Sequence, residues 1–298
     1  VKLLTYTYPD GRVAHGELVD EAAGTIEEWG DGDLLGTVTA GAAARNGAAG
    51  SSGDQQRATV ALDQVRVLAP LQRPGKIICA ATNYQEHIVE GGGTPVDKQR
   101  TSPKLFNKFD TAIAGTGETF VIPEISASAD WEVELAVVIG ADCDHVPVEQ
   151  ALDKVFGYAT ANDISLRKLD NIGFERDTEN PWVGFFDWLE GKWANGSAPV
   201  GPYLVTADEV GDPQNLPISL TVNDKVWQSG NTKDMIFSCA ELVAFASRLC
   251  TLHAGDIILT GTPSGVGATT STWLADGDVM VAEVAGLGKL VTEVQKAR

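Results

Sequence analysis

Cysteine and histidine are scarce, with four of each among 298 residues. Cys79, Cys143, Cys239 and Cys250 lie far apart with no C-x-x-C pair, which in a chain of this size predicts free thiols in a reducing compartment, not a disulfide framework. The histidines are not paired at ligand spacing, so zinc is not expected. Basic residues are also few: 22 Lys and Arg stand against 41 Asp and Glu, a formal charge of −19. The charge is spread along the chain without a basic cluster. Such a surface repels phosphate backbones and anionic headgroups, so neither nucleic acid nor a membrane is an expected partner. No apolar run approaches the roughly 18 residues of a membrane span, and Val1 onward shows no basic segment leading into an apolar one. With the thiols, this predicts a cytoplasmic protein. There is no P-loop, no G-x-G-x-x-G after a strand and no H-E-x-x-H. Gly261-Thr262-Pro263-Ser264-Gly265 misses the nucleophile elbow by one position, which leaves a serine hydrolase unsupported.

Hydrophobic residues at 43% and charged residues at 21% are those of an ordinary globular chain, and exclude disorder and collagen-like architecture. Residues 1–70 read as a small N-terminal β domain of short strands. Within it, 36–53 is a small-residue stretch expected to be a loop, or a loop broken by a short helix. Gln72-Arg73-Pro74-Gly75 is a plausible boundary, and 71–298 forms the second domain. There KIICAA (76–81), WEVELAVVIG (131–140) and GYATANDIS (157–165) read as strands, and NYQEHIVEG (83–91) as a helical turn or two. Pro147 to Gly157 has helical spacing, with Val148, Ala151, Leu152 and Val155 on one face. Another helix is expected near 234–250, with Met235, Ile236, Leu242, Val243 and Phe245 as its apolar positions. The chain closes in a hairpin turning near Gly286-Leu287-Gly288. No internal repeat is present. Many strands and few helices predict a β-rich α+β fold, not a doubly wound sheet.

Three features carry chemistry. Asp130, Glu132 and Glu134 alternate, so a strand places them on one face. That face is either a solvated surface or the entrance to a core. The apolar run Ala136 to Ile139 argues for the core, where neighbouring carboxylates repel unless a cation neutralises them. Asp163 ends another apolar strand. An oxygen-only donor set favours Mg²⁺ or Mn²⁺, with Ca²⁺ as the alternative. His87 and Glu90 lie at i and i+3, where a carboxylate that orients an imidazole makes a general base; taken alone the pair reads as a surface pair. Lys192 is unremarkable by itself.

In chain order, N-Y-x-x-H-x-x-E (83–90), E-x-E-L-x-x-V-I-G (132–140), G-Y-x-x-x-N-D-x-S (157–165), G-K at Lys192, P-V-G-P (199–202), V-N-x-x-x-x-Q (222–228) and A-G-D-x-I-x-T-G-T-P-x-G-V-G (254–267) follow one another. Together they resemble the fumarylacetoacetate hydrolase family over about residues 72–298. The first 70 residues look like the family's variable N-terminal β domain. The resemblance implies a mixed β-roll, a homodimer or dimer of dimers, and one divalent metal per subunit. Carried over, Glu132, Glu134 and Asp163 match the metal ligands, and His87 and Glu90 match a water-activating dyad on a mobile lid. Lys192 matches the lysine that polarises the substrate, and Tyr84, Arg167 and Thr262 match substrate contacts. The activity implied is hydrolysis of a carbon–carbon bond in a β-diketo acid of the acylpyruvate type, through an enolate held by the metal. Oxaloacetate decarboxylation or isomerisation of a 2-oxo diacid on the same site is the alternative, and a noncatalytic metal- or acid-binding protein the remote one.

The sequence departs from the family pattern in three places. Lys168 stands for an acid and Asp170 for a glutamine, and Asn195 stands where aspartate is common. The stretch from Arg167 to Lys192 is longer than usual and holds Phe174, Trp182, Phe185, Phe186 and Trp188. These aromatics read either as core or subunit interface, or as an apolar wall for the substrate.

Overall fold

The structure, a computed structural model, describes residues 1–48 and 57–297. Its larger sheet has 12 strands and is centred on two fully buried ones, Val133–Ile139 and Val155–Asn162, paired antiparallel. On one side of this pair lie Ile257–Leu259, then Ile77–Ala81 in parallel, then Lys104–Lys108 at the edge. On the other side lies Ala198–Thr206, against which Lys2–Thr7 pairs through Lys2↔Val205 and Leu3↔Leu204. Val13–Asp20, Thr25–Asp31 and Thr59–Ala61 continue the sheet outward, so the N-terminal strands hydrogen-bond directly onto the rest. A second, five-stranded sheet runs Lys225–Asn231, Pro217–Val222, Val279–Val284, Lys289–Lys296, Thr119–Ile122. The mixed, β-rich α+β architecture is the one expected.

The two faces of Val133–Ile139 explain its apolar run. Val133, Leu135, Val137 and Ile139 pack with Ile218, Leu220, Met280, Ala282 and Val294 of the second sheet. Ala136 and Val138 face the other way, into a cluster with Ile77, Cys79, Leu259, Leu34 and Val38. A strand covered on both sides shows no alternation in its apolar part.

Several local expectations are corrected. The helix from Pro147 stops early: Val148–Ala151 is α-helical, Leu152–Lys154 tightens into a 3₁₀ turn, and Val155 already begins a strand. Val148 and Leu152 are exposed. The helical spacing ran by coincidence into β-forming Val155 and Phe156, and pairing with strands on both sides decides their state. The expected helix at 234–250 starts only at Cys239, because Ser238 caps it: its Oγ accepts from the Glu241 N–H, and Glu241 accepts from the Ser238 N–H. Met235 and Ile236 lie before the cap. Leu35–Ala48 is helical, kinked at Gly41, where a loop with a short helix was expected; residues 49–53 of that reading lie outside the described residues. Pro181–Glu190 is a helix that the sequence reading did not assign. Its signal was present, since Asn180 caps the Trp182 N–H and Pro181 occupies the first turn.

All four cysteines are free. Among the described residues no helix is long and apolar enough to cross a membrane.

The capping box can be tested alone. Ser238→Ala should lower the unfolding free energy by about 1 kcal/mol, and Ser238→Asp should recover most of it. Equal urea midpoints for wild type and Ser238→Ala would remove the box as a determinant of where this helix begins.

Candidate active site

The antiparallel register of the central pair assembles the cluster. Val133 lies opposite Asn162 and Glu134 opposite Ala161, so the entrance of one strand meets the exit of the other. Two bonds lock the junction: the Asp163 N–H donates to the Glu132 carbonyl at 2.8 Å, and the Glu132 N–H donates to Asn162 Oδ1 at 2.9 Å. Carboxylate oxygens of Glu132, Glu134 and Asp163 thereby come within 4.8 Å of one another. None of the three residues is more than 5% exposed. The solvated-face reading of this strand is therefore wrong.

Asp130 shares the alternation but not the cluster. It is buried, accepts N–H bonds from Trp131, Gly267 and Ala268 at 2.7–3.0 Å, and receives Arg167 Nε at 2.8 Å. Arg167 also ion-pairs with Glu132. Lys192 Nζ donates to Glu132 at 2.8 Å and to Asp163 at 2.7 Å. The chain delivers Lys192 by a close approach: a Cβ on Gly191 would sit 1.9 Å from the Leu166 carbonyl oxygen, so only glycine fits there. Lys108 is the residue that sequence reasoning missed. Wholly buried, it donates to Asp163 at 2.7 Å and to the Ile164 carbonyl at 3.2 Å. A lysine inside the otherwise strand-like LFNKF was its only sequence signal.

Electrostatics separate the carboxylates. Burial pushes the Glu132 carboxyl up, but Lys192 and Arg167 together outweigh it and hold it below the usual range. Burial would lower the Lys192 ammonium, yet Asp163 and Glu132 raise it. Glu134 is raised well above the ordinary value, first by burial and then by Asp163 and Glu132. It has no ion-pair partner among the described residues and accepts only the Gly261 N–H, at 2.6 Å. Four buried carboxylates thus face three fixed cations, and Glu134 is the one left without a partner. A hard divalent cation fits this donor set: three convergent oxygen donors, no His or Cys, and one carboxylate lacking a counter-ion.

His87 stands on the short helix Gln85–Glu90, with its Nδ1 2.8 Å from Glu90 Oε1. The loop that donates the Gly261 N–H to Glu134 also reaches this dyad. The other Glu90 oxygen accepts the Gly265 N–H at 2.8 Å. Thr262 Oγ1 accepts from Gln228 Nε2 at 2.8 Å, and Gln228 Oε1 accepts from the Val133 N–H at 2.9 Å, which fixes the threonine beside the cluster strand. Tyr84 is also buried. Burial, then Glu134, raises its phenol, and its hydroxyl has no hydrogen-bond partner among the described residues. Lys168, Asp170 and Asn195 are exposed, and Asp170 Oδ1 accepts the Ala127 N–H. The structure therefore brings His87, Glu90, Glu132, Glu134, Asp163, Arg167, Lys192 and Thr262 to one place, adds Lys108, and buries Tyr84 close to Glu134.

Comparison with known proteins identifies relatives of the chain. The model of the fumarylacetoacetate (FAA) hydrolase C-terminal family matches residues 76–295. Human mitochondrial oxaloacetate tautomerase FAHD2A is 40% identical over 233 residues, covering 78% of this chain and 70% of its own. The 2,4-didehydro-3-deoxy-L-rhamnonate hydrolase of Sphingomonas sp. (strain SKA58) is 40% identical over 232 residues, 77% and 76% of the two chains. The crystal structure of maleylpyruvate hydrolase from Sphingobium sp. SYK-6, in complex with manganese(II) and pyruvate, superposes with a TM-score of 0.77 at 27% identity over the whole of both chains.

Two outcomes are expected. Mn²⁺ at about 100 times its Kd should stabilise the protein by about 2.7 kcal/mol, reversibly with EDTA, and Glu134→Gln should weaken its binding by about 10- to 100-fold. Unchanged calorimetric affinity in that variant would move the metal elsewhere. Lys108→Met should destabilise the metal-free protein by about 3–5 kcal/mol, because it leaves the buried carboxylates with one cation fewer; a loss under about 1 kcal/mol by urea titration would contradict the pairing.

Proposed function

The chain belongs to the fumarylacetoacetate hydrolase family, and on that premise we propose that it hydrolyses a carbon–carbon bond of a β-diketo acid of the acylpyruvate type. The observation that carries this reading is the His87–Glu90 pair, a base and its orienting carboxylate held at 2.8 Å beside the buried acidic cluster. Glu132, Glu134 and Asp163 would hold the divalent cation, Mg²⁺ or Mn²⁺ with Ca²⁺ as the alternative, which when bound supplies Lewis-acid polarisation of the 2-oxo acid. Glu90 holds one imidazole nitrogen, so the other takes a proton from water. The water oxygen attacks the distal carbonyl. The carbon–carbon bond then breaks, and its electron pair passes into an enolate that the Lys192 ammonium stabilises by charge. His87 returns its proton, and the products are a carboxylic acid and a 2-oxo acid. Arg167, Thr262 and Tyr84 are assigned to substrate: the guanidinium and the hydroxyls present donors that suit a carboxylate.

A second reading rests on the comparisons. Relatives named as oxaloacetate tautomerases are as similar as the rhamnonate hydrolase, at 40% identity. Tautomerisation, decarboxylation and isomerisation move a proton or carbon dioxide without an attacking water, and the same residues could serve them. The remote reading, a noncatalytic acid-binding protein, loses ground because the named relatives are enzymes. The four free thiols support a reducing compartment, for which we retain the cytoplasm, and we expect a homodimer or dimer of dimers with no nucleic acid or membrane partner.

The deciding experiment assays acetylpyruvate, fumarylpyruvate and oxaloacetate with Mg²⁺ and identifies the products. Hydrolysis of a diketo acid is expected, and His87→Ala should reduce it by about 10²–10⁴-fold while any oxaloacetate activity falls less. Turnover of oxaloacetate with no diketo acid cleaved would establish the second reading instead.

A further inference from the structure

We propose that Phe106 and Trp188 form an apolar wall beside Lys192, which selects β-diketo acids bearing an uncharged aromatic or long aliphatic group on the distal carbonyl. The proposal rests on the hydrolase reading above and names its substrate class.

Phe106 lies on the edge strand Lys104–Lys108, two positions from Lys108 and therefore on the same face. Its ring centroid is 5.0 Å from Lys192 Nζ, the ammonium that also contacts Glu132 and Asp163. Trp188 meets Phe106 edge-on at 5.1 Å and 69°. Phe185 follows at 6.1 Å from Trp188, and Phe186 and Trp182 at 5.4 and 5.9 Å from Phe185. An unbroken run of rings thus leads from the site's ammonium to the surface, where Trp182 is 64% and Phe185 46% exposed.

The helix that carries four of these rings is held rigidly. Asn180 caps its start, and Gly191 at its end is tight against Leu166. Within it, the buried Asp187 carboxylate accepts the Leu169 N–H and the Arg176 guanidinium. Trp188 is thereby carried against Phe106, the ring that meets Lys192. An exposed apolar patch of this kind marks a binding surface more often than a neutral one. Its continuity with Lys192 points to substrate as the occupant.

The test compares benzoylpyruvate with acetylpyruvate in the wild type, Trp188→Ala and the milder Phe106→Leu. Binding of unreactive phenylpyruvate and pyruvate is measured by calorimetry, and oligomeric state by sedimentation. The wild type should prefer the aromatic substrate by about 10- to 100-fold in kcat/KM, and Trp188→Ala should erase most of that preference. Phe106→Leu should weaken phenylpyruvate but not pyruvate. An unchanged substrate ratio in both variants overturns the wall, as does dissociation into subunits with the ratio intact. Should no diketo acid be cleaved at all, phenylpyruvate binding that depends on Trp188 would still uphold the wall and fail only the hydrolase reading.

Discussion

Four carboxylates buried at one strand junction cannot coexist without counter-charge, and much of the surrounding architecture answers that requirement. Breaking a buried ion pair by removing one partner costs about 3–5 kcal/mol, which is a large part of a domain's net stability. Lys108 on an edge strand, Lys192 after a helix and Arg167 on the segment between each reach the cluster from a different element. Their joint presence holds the edge strand, the inserted helix and the central pair in one arrangement. Glu134 alone of the four has no ion-pair partner among the described residues, and burial raises its carboxyl well above the ordinary range.

The loop 260–268 serves the same end with backbone groups. Its N–H groups at Gly261, Gly265, Gly267 and Ala268 bond to Glu134, Glu90 and Asp130, so one segment touches the acidic cluster, the carboxylate paired with His87 and the carboxylate that holds Arg167. A backbone N–H brings a donor without bringing another charge. The glycines are steric requirements too: a Cβ on Gly265 would lie 2.0 Å from the Trp227 carbonyl oxygen. The short helix carrying His87 is joined to this loop by the Gly265 N–H on Glu90 and the Ser264 hydroxyl on Glu86, and Asn83 just before it donates to the Thr260 carbonyl.

Much of this was legible from particular residues. The E-x-E alternation ahead of an apolar run marked Glu132 and Glu134, and the apolar strand ending in Asn162-Asp163 marked the third donor. Local spacing paired His87 with Glu90. Capping residues set the helix starts at Cys239 and Pro181, although only a reading that gave Ser238 and Asn180 their due weight would have placed them. Spacing misled at Val155, where helical periodicity continues into a strand whose two neighbours decide its conformation.

What the sequence determined by itself was the chemical inventory and the alternation that puts Glu132 and Glu134 on one face, because both are properties of residues a few positions apart. Whether that face met water or core, that Asp130 left the cluster to hold Arg167, and that Lys108 joined it were decided only in three dimensions. The partners concerned are 29 to 137 residues apart in the chain, and no local pattern reports on them. The physical reason is that a buried charge is tolerable only beside its counter-charge, and the pairing of distant strands is what supplies it.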